Sequence, residues 1–490
     1  MLDWLNGEPA DDCLEDLDQL CRHLGRMSDE ALPAEALYPL LEPLAARVMD
    51  IAGRMRPRLL GAGLPLPHAL HEATARLTGV MVDGAAMAGR LGEALGRSTG
   101  DGEAASVTLA AHGLTLLAEA YKLACMAAID AVPGLWQRAC GLCRSLEHGK
   151  RGTRAEGIEA FKQMVAIATL QPESLSAREL AWLFDFLGAA SSETELSDHV
   201  PRPDNASFWI DCAADGPPVA RIRRAPPADA ELLHFHAFAL ARRLGEQIDW
   251  LECRIADAEV IGQERDADLL DPESSGLPLG LTPAEVLSLL RRMRERWTTP
   301  PNRTLPRRAQ DYVVQVCAGL GPIWRMLRRG EDAATISEWT VNNESPGGYA
   351  IIGACDAGAS AGAVGAGTAL ALRRDASQPW VICIVRWVRS ERPGVMELGL
   401  QAVGQGCSPI SVGFRGDEFQ RTAPALLLPP LAGLRRHHAI LAPAGTYTSR
   451  RFVLVRDGRQ LYVAQGRVLN LEMQTASVEL FQYEIDPYAL

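Results

Sequence analysis

The residues best equipped for chemistry lie at Asn343-x-Ser345-x-x-Gly348, where an amide, a hydroxyl and an uncluttered backbone stand side by side. An amide presents a donor and an acceptor in one plane, and a hydroxyl supplies either. Such a corner can read the edge of a purine. Upstream, Arg303, Arg307 and Arg308 supply planar guanidinium forks, which pair with phosphate oxygens, bond guanine O6 and N7, and stack on bases. Gly348 lets the backbone approach a ligand with no Cβ in the way.

The element that must hold the turn is a hairpin. Trp339-Thr340-Val341 and Tyr349-Ala350-Ile351-Ile352 carry the β-branched and aromatic residues of strands, and between them Asn, Ser, Pro and two Gly bond the local backbone or permit unusual dihedrals. Between Arg291 and Arg329 there are ten Arg, no Lys and only Glu295 and Asp311 as acids, a cationic island in a chain of net charge −12. The negative total disfavours non-specific binding to DNA, RNA or anionic membrane. Arg is this chain's default cation, so position carries the argument. The Arg-x-x-x-Arg spacing recurs several times, as at Arg54/Arg58, Arg292/Arg296 and Arg325/Arg329, whereas the turn motif occurs once. Arg303/Arg307 is preferred because a full strand, Tyr312 to Cys317, fits between it and the turn. A short helix over Gly319 to Gly330 reads as inserted there.

At 490 residues the chain exceeds one core, and 47% hydrophobic with 22% charged residues is ordinary for a globular protein. Met1 to Glu8 is acidic without a signal pattern, and no membrane span is visible, so a cytoplasmic protein is expected. Eleven scattered cysteines fit reduced thiols in that compartment.

In chain order, residues 1–262 predict a helical domain. Leu37, Leu40, Leu41, Leu44 and Val48 recur at helical spacing, and the breaks suggest stacked helical hairpins, solenoid-like, with one possible strand at Ser207 to Cys212. Residues 263–300 read as a linker and a helix opened by Thr282-Pro283-Ala284-Glu285, a hydroxyl cap, a first-turn proline and a glutamate three residues on. From Tyr312 the pattern turns to β, with strands at Thr368 to Leu372, Trp380 to Val388 and Met396 to Gln401. A further β set over 406–490 predicts a second unit.

Arg303-x-x-x-Arg307 with Arg308, Asn343-x-Ser345-x-x-Gly348, Val385-Arg386-Trp387-Val388 and Glu397-Leu398-Gly399-Leu400-Gln401 together resemble the PilZ domain, a bacterial receptor for cyclic di-GMP, over 301–405. The resemblance implies a small antiparallel β-barrel in a multidomain α+β chain. It also implies cyclic di-GMP as ligand, held jointly by the arginine leader and the turn, with no cofactor and no catalysis. A helical half beside such a module implies a protein partner. The alternative is a helical interaction scaffold with a degenerate, non-binding module.

Other candidates carry less. Cys140-Gly141-Leu142-Cys143 lies in a helical stretch with no second cysteine pair, which favours burial over zinc or redox work. His68-x-x-His71-Glu72 lacks the second His of a zincin, and His234-x-His236 sits at helical spacing that diverges, so both read as structural or surface histidines. Gly365-Ala366-Gly367 lacks the strand-to-helix context of a dinucleotide fold. No catalytic constellation is evident.

Overall fold

The computed structural model describes residues 2–5, 7–30, 34–96, 101–146, 153–202, 205–261, 270–300, 306–355, 364–414, 422–431, 435–447, 451–457 and 461–486. Long helices dominate the first half: Ala34–Ala62, His68–Gly96 and Asp101–Ala127. Apolar residues at three- and four-residue spacing, such as Leu70, Ala73, Leu77 and Met81, face one continuous core. Asp101–Ala127 is central and packs on His68–Gly96, Leu135–Leu146 and Thr153–Thr169. The helix Pro283–Thr298 opens with the expected capping box between Thr282 and Glu285. Its Val286, Leu290, Met293 and Trp297 enter the same core, and Trp297 Nε1 donates to Thr169 Oγ1 at 2.9 Å. The cap fixes where the helix starts, and the buried face ties it to the helical half rather than leaving it in a linker.

A small sheet is set into this half. Strands β1 (Glu195–Ser197), β2 (Phe208–Asp211), β3 (Val219–Ala220) and β4 (Leu232–His236) pair in the order β1-β4-β2-β3. The strand expected at Ser207 to Cys212 is β2. His234-x-His236 was read as helical and is instead on β4, because Leu233 and Phe235 enter the core while β4 pairs with both β1 and β2.

Strands β5 (Arg308–Ala318), β6 (Ser337–Ser345), β7 (Gly348–Ala354), β8 (Ala369–Arg373), β9 (Val381–Arg392) and β10 (Val395–Gln405) close a barrel in the order β10-β7-β6-β5-β8-β9. Strands β11 (Ser408–Phe414), β12 (Ala423–Leu428), β13 (Ala439–Pro443), β14 (Arg451–Arg456), β15 (Tyr462–Gln474) and β16 (Val478–Ile485) close a second, in the order β11-β12-β13-β16-β15-β14. Counting the strands of each barrel from its own start, the circular order is 1-4-5-6-3-2 in both. The second unit therefore repeats the connectivity of the first, so the fold is a helical half followed by a PilZ-like barrel and a second barrel of the same topology.

The barrels lean on a shared apolar seam that includes Ala371, Ile382 and Ile384 from the first and Leu426, Leu441 and Leu480 from the second. The expected helix between β5 and β6 is Leu320–Arg329, bounded by Gly319 (φ +91°) and Gly330 (φ +97°), conformations that favour glycine. Leu320, Ile323 and Met326 fill the seam, and Trp324 Nε1 donates to the Ile410 carbonyl at 2.7 Å. Arg328 pairs with Asp457 of the second barrel.

The helical half meets the first barrel at the end of β9. Ser390 N–H donates to the Ala128 carbonyl at 2.7 Å, and Nε2 of buried His71 lies 2.7 Å from the Ser390 carbonyl oxygen. His71 is thus a buried interface residue, while His68 is exposed beside Glu72.

Candidate nucleotide-binding site

The Asn-Ser-Gly motif forms the tip of the β6–β7 hairpin, with Pro346-Gly347 as its two-residue turn. Register places the side chains. Val341, Ile351, Leu398 and Val388 form one row of inward-facing core residues across four strands. On β7 and β10 the next residues, Ala350 and Gly399, turn outward, and a bulge at Asn342 on β6 sets Asn343 rather than Asn342 opposite Ala350, so the row Ala309–Asn343–Ala350–Gly399–Trp387 faces out. A row of Arg308, Glu344, Tyr349, Leu400 and Val385 returns to the interior, and a last outer row carries Ser345, Gly348, Gln401 and Ile384. Asn343 and Ser345 therefore share the barrel's outer wall with Trp387 and Gln401, over a floor of Gly348, Ala350 and Gly399.

Each glycine of that floor has a steric cause. A Cβ on Gly399 would fall on the indole nitrogen of Trp387, so the ring lies flat across the β10 backbone. A Cβ on Gly348 would fall on the Leu400 carbonyl oxygen, 2.9 Å from the carbonyl carbon and 3.2 Å from Gln401 Cα. The close approach that requires glycine at 348 is thus with the neighbouring strand.

Two polar atoms define the corner. Ser345 Oγ donates a long 3.4 Å bond to the Gly348 carbonyl, which leaves the hydroxyl easy to redirect. Asn343 Oδ1 is buried and has no hydrogen-bond partner. A buried carbonyl without a donor costs about 1–3 kcal/mol, so this acceptor is a standing demand for an N–H. Glu344, by contrast, is fully engaged inside the barrel mouth, accepting from Tyr312 OH at 2.7 Å and Gln310 Nε2 at 3.0 Å. Burial and this carboxylate push the Tyr312 phenol well above its usual range.

Around the mouth stand cations. Arg308, exposed at the start of β5, is the register partner of Glu344. Arg307 precedes it and is exposed. Arg374, which the sequence reading did not single out, places its guanidinium 4.9 Å from the Tyr312 ring centroid. Arg303 lies outside the described residues. The alternative pair, Arg325/Arg329, is on the helix that follows β5, and β5 runs antiparallel to β6. The 11 residues of β5 separate that helix from the turn, roughly 35 Å of extended strand. The structure thus brings Arg307, Arg308, Asn343, Ser345 and Gly348 to one end of the barrel and sets Arg325/Arg329 at the other. Trp387 and Gly399 complete the wall; a glycine inside an apolar strand pattern, with a tryptophan in the preceding strand, is the sequence signal for it.

The second barrel carries no such corner among its described residues. Its corresponding connection, between β12 and β13, holds Arg435, which is buried and donates to the carbonyls of Pro429 and Val403 at 3.0 Å each, the latter on the first barrel. That position serves the inter-barrel contact. Elsewhere, Cys140 and Cys143 are both buried in Leu135–Leu146. Cys140 and then Arg144 hold the neighbouring Cys212 thiol below its usual value. No cluster of metal-ligating side chains occurs among the described residues.

Comparison with known proteins adds three findings. A family model described as the N-terminal domain of the cyclic-di-GMP receptor FimW matches residues 1–202, and one described as its middle PilZ domain matches residues 325–409. The curated cyclic-di-GMP receptor FimW of Pseudomonas aeruginosa is 28% identical over 103 residues, which is 21% of this chain and 16% of that protein. The alignment therefore spans about one sixth of the relative's length. No solved structure matches.

Proposed function

We propose that this chain, which matches family models of the N-terminal and middle PilZ domains of a cyclic-di-GMP receptor, is itself a receptor for cyclic di-GMP and binds it on the outer wall of the first barrel. The observation that carries the reading is the buried, unpartnered carbonyl of Asn343, two register rows from Ser345 on the same outer face and beside a floor of glycine and alanine. The Watson–Crick edge of guanine offers the N–H groups that carbonyl lacks, and Ser345 Oγ is placed to bond the same base. Trp387 offers a ring face for stacking, worth about 1–3 kcal/mol per base. Arg303, Arg307 and Arg308 pair with the two phosphates, and Gly348 keeps the backbone low beneath the ligand. The role is a receptor's, with no bond made or broken.

The leader between Thr298 and Arg308 supplies the switch. One end is fixed by the buried helix Pro283–Thr298 and the other by β5. Charge-assisted bonds from Arg303, Arg307 and Arg308 to the ligand, roughly 1.5–3 kcal/mol each, would tie that segment to the hairpin. Strand β9 gives a second route, because Trp387 stands three residues from Ser390, whose N–H and carbonyl contact Ala128 and His71. Ligand binding thereby changes how the helical half meets a protein partner. No helix among the described residues is long and apolar enough to cross a membrane.

Hydrogen exchange on the full-length chain, with and without saturating cyclic di-GMP, tests this reading. Protection should rise across 298–311, at the 341–350 hairpin and at 385–390. Saturating ligand that leaves 298–311 exchanging at its free rate, or that protects 320–329 instead, would reassign the arginines. No change anywhere would leave the scaffold reading.

A further inference from the structure

A second basic site lies away from the turn, where the helical half, the helix Pro283–Thr298 and both barrels meet. A cavity of about 120 Å³, the space of roughly four waters, is lined there by Arg292, Arg296 and Arg386 together with Glu179 and Glu295. Arg296 also lines a larger neighbouring cavity of about 500 Å³, which Arg223 and Arg389 share. Glu295 acts on both Arg296 and Arg386, and Glu173 on Arg296, but neither carboxylate pairs directly with them. Glu179 is taken by Arg292 and by the Ser176 N–H, and Glu295 is exposed. Among the described residues neither Arg296 nor Arg386 forms an ion pair, and the nearest polar contact of Arg386 is the Met473 sulfur at 3.9 Å.

The electrostatics agree with that geometry. Burial, then Arg223 and Arg386, bring the Arg296 guanidinium down to about 10, and burial with Arg292 presses Arg386 below the usual arginine value. A half-buried Arg296 and an exposed Arg386, neither in a direct ion pair, face Glu295 but also Arg292 and Arg223, and a cleft with this excess of guanidinium groups attracts an anion. Compact oxyanions are the groups that planar guanidinium forks fit best.

We propose that the Arg296–Arg386 cleft is an anion site for a phosphate group, distinct from the nucleotide wall of the first barrel. The smaller cavity accepts one tetrahedral oxyanion, and the larger one leaves room for the rest of a phosphate monoester. A phosphate bound there ties together four segments of the chain: the Leu170–Glu179 region, the helix Pro283–Thr298, β9 and the β15–β16 turn.

The test is a melting series on the full chain in phosphate-free buffer with added inorganic phosphate, added GMP, or added sulfate. Wild type should be stabilised in a saturable way by phosphate or GMP. The anion that acts at the lower concentration identifies the source as free phosphate or an ester. Arg296→Gln and Arg386→Gln should each weaken the apparent affinity at least about tenfold, the loss of one charge-assisted bond. Without anion, Arg386→Gln should melt at or above wild type, because it removes an exposed cation that has no ion pair and faces other cations. Ser345→Ala should keep the phosphate response while losing cyclic di-GMP, which separates this site from the turn. No saturable stabilisation, stabilisation unchanged in both arginine variants, or an Arg386→Gln chain that melts lower in anion-free buffer would overturn the proposal.

Discussion

Gly348→Val should lower the melting temperature of the first barrel more than any other single change in the turn. The new Cβ would land on the Leu400 carbonyl oxygen, with the carbonyl carbon and Gln401 Cα close behind. These are backbone atoms of β10, held by pairing on both sides to β7 and β9, so they have no rotamer by which to yield. Overpacking against side chains costs about 1–3 kcal/mol, and a clash with paired backbone belongs at or above the upper end of that range. Thermal melts of Gly348→Val beside Ser345→Ala make the comparison. The serine variant loses one long hydrogen bond and should melt within about a degree or two of wild type, since such a bond is worth at most about 1 kcal/mol. If Ser345→Ala were the more damaging change, the hairpin tip would be a structural cap and its hydroxyl would have no spare capacity for a ligand.

Asn343→Ala should have the largest effect on binding with the opposite sign on stability. Its Oδ1 is buried without a donor, so removing it relieves a penalty of about 1–3 kcal/mol in the free protein. The same removal deletes the acceptor proposed for guanine, and with two hydrogen bonds lost the affinity for cyclic di-GMP should fall about a hundredfold. A variant that is as stable as wild type or more so, yet does not bind, is the signature of strain retained for function. Paired melts and calorimetry read both quantities. A large loss of stability would show that Asn343 is a structural residue whose carbonyl finds a partner in solution, such as water.

Much of this arrangement was legible in the sequence, and the reasons differ by element. The capping box Thr282–Glu285 and the Pro-Gly hairpin are local devices, written in consecutive residues, so they were readable without knowing what they pack against. Strands β9 and β10 show as runs of apolar and β-branched residues. Strands β11 and β12 escaped notice, because Ser408-Pro409-Ile410 opens on a proline and Ala423 to Leu428 is an apolar run with no alternation. Strand β4 was misread because a five-residue run such as Leu-Leu-His-Phe-His is too short to fix a period, and its pairing with β2 settles it.

Non-local features were out of reach for a stronger reason. The row Asn343–Ala350–Gly399–Trp387 joins four strands, and only register shows that Trp387 belongs to the same wall as the motif. That Arg307 and Arg325/Arg329 stand at opposite ends of β5 likewise depends on how β5 pairs with β6. The repeated strand order of the two barrels and the meeting of Arg296 with Arg386 leave no trace in spacing, because the partners come from distant segments.

The central claim, that the turn reads guanine, is tested most directly by calorimetry on the full-length chain with cyclic di-GMP and cyclic di-AMP under one salt condition. The two ligands carry the same phosphates and differ at the base edge. Guanine offers an O6 acceptor to arginine and an exocyclic N–H to Asn343, whereas adenine reverses the polarity at the first position and lacks the second. The account predicts binding of cyclic di-GMP at least about tenfold tighter, the value of one discriminating hydrogen bond. Equal affinities would contradict it, leaving phosphate attraction by the arginines as the whole of the interaction.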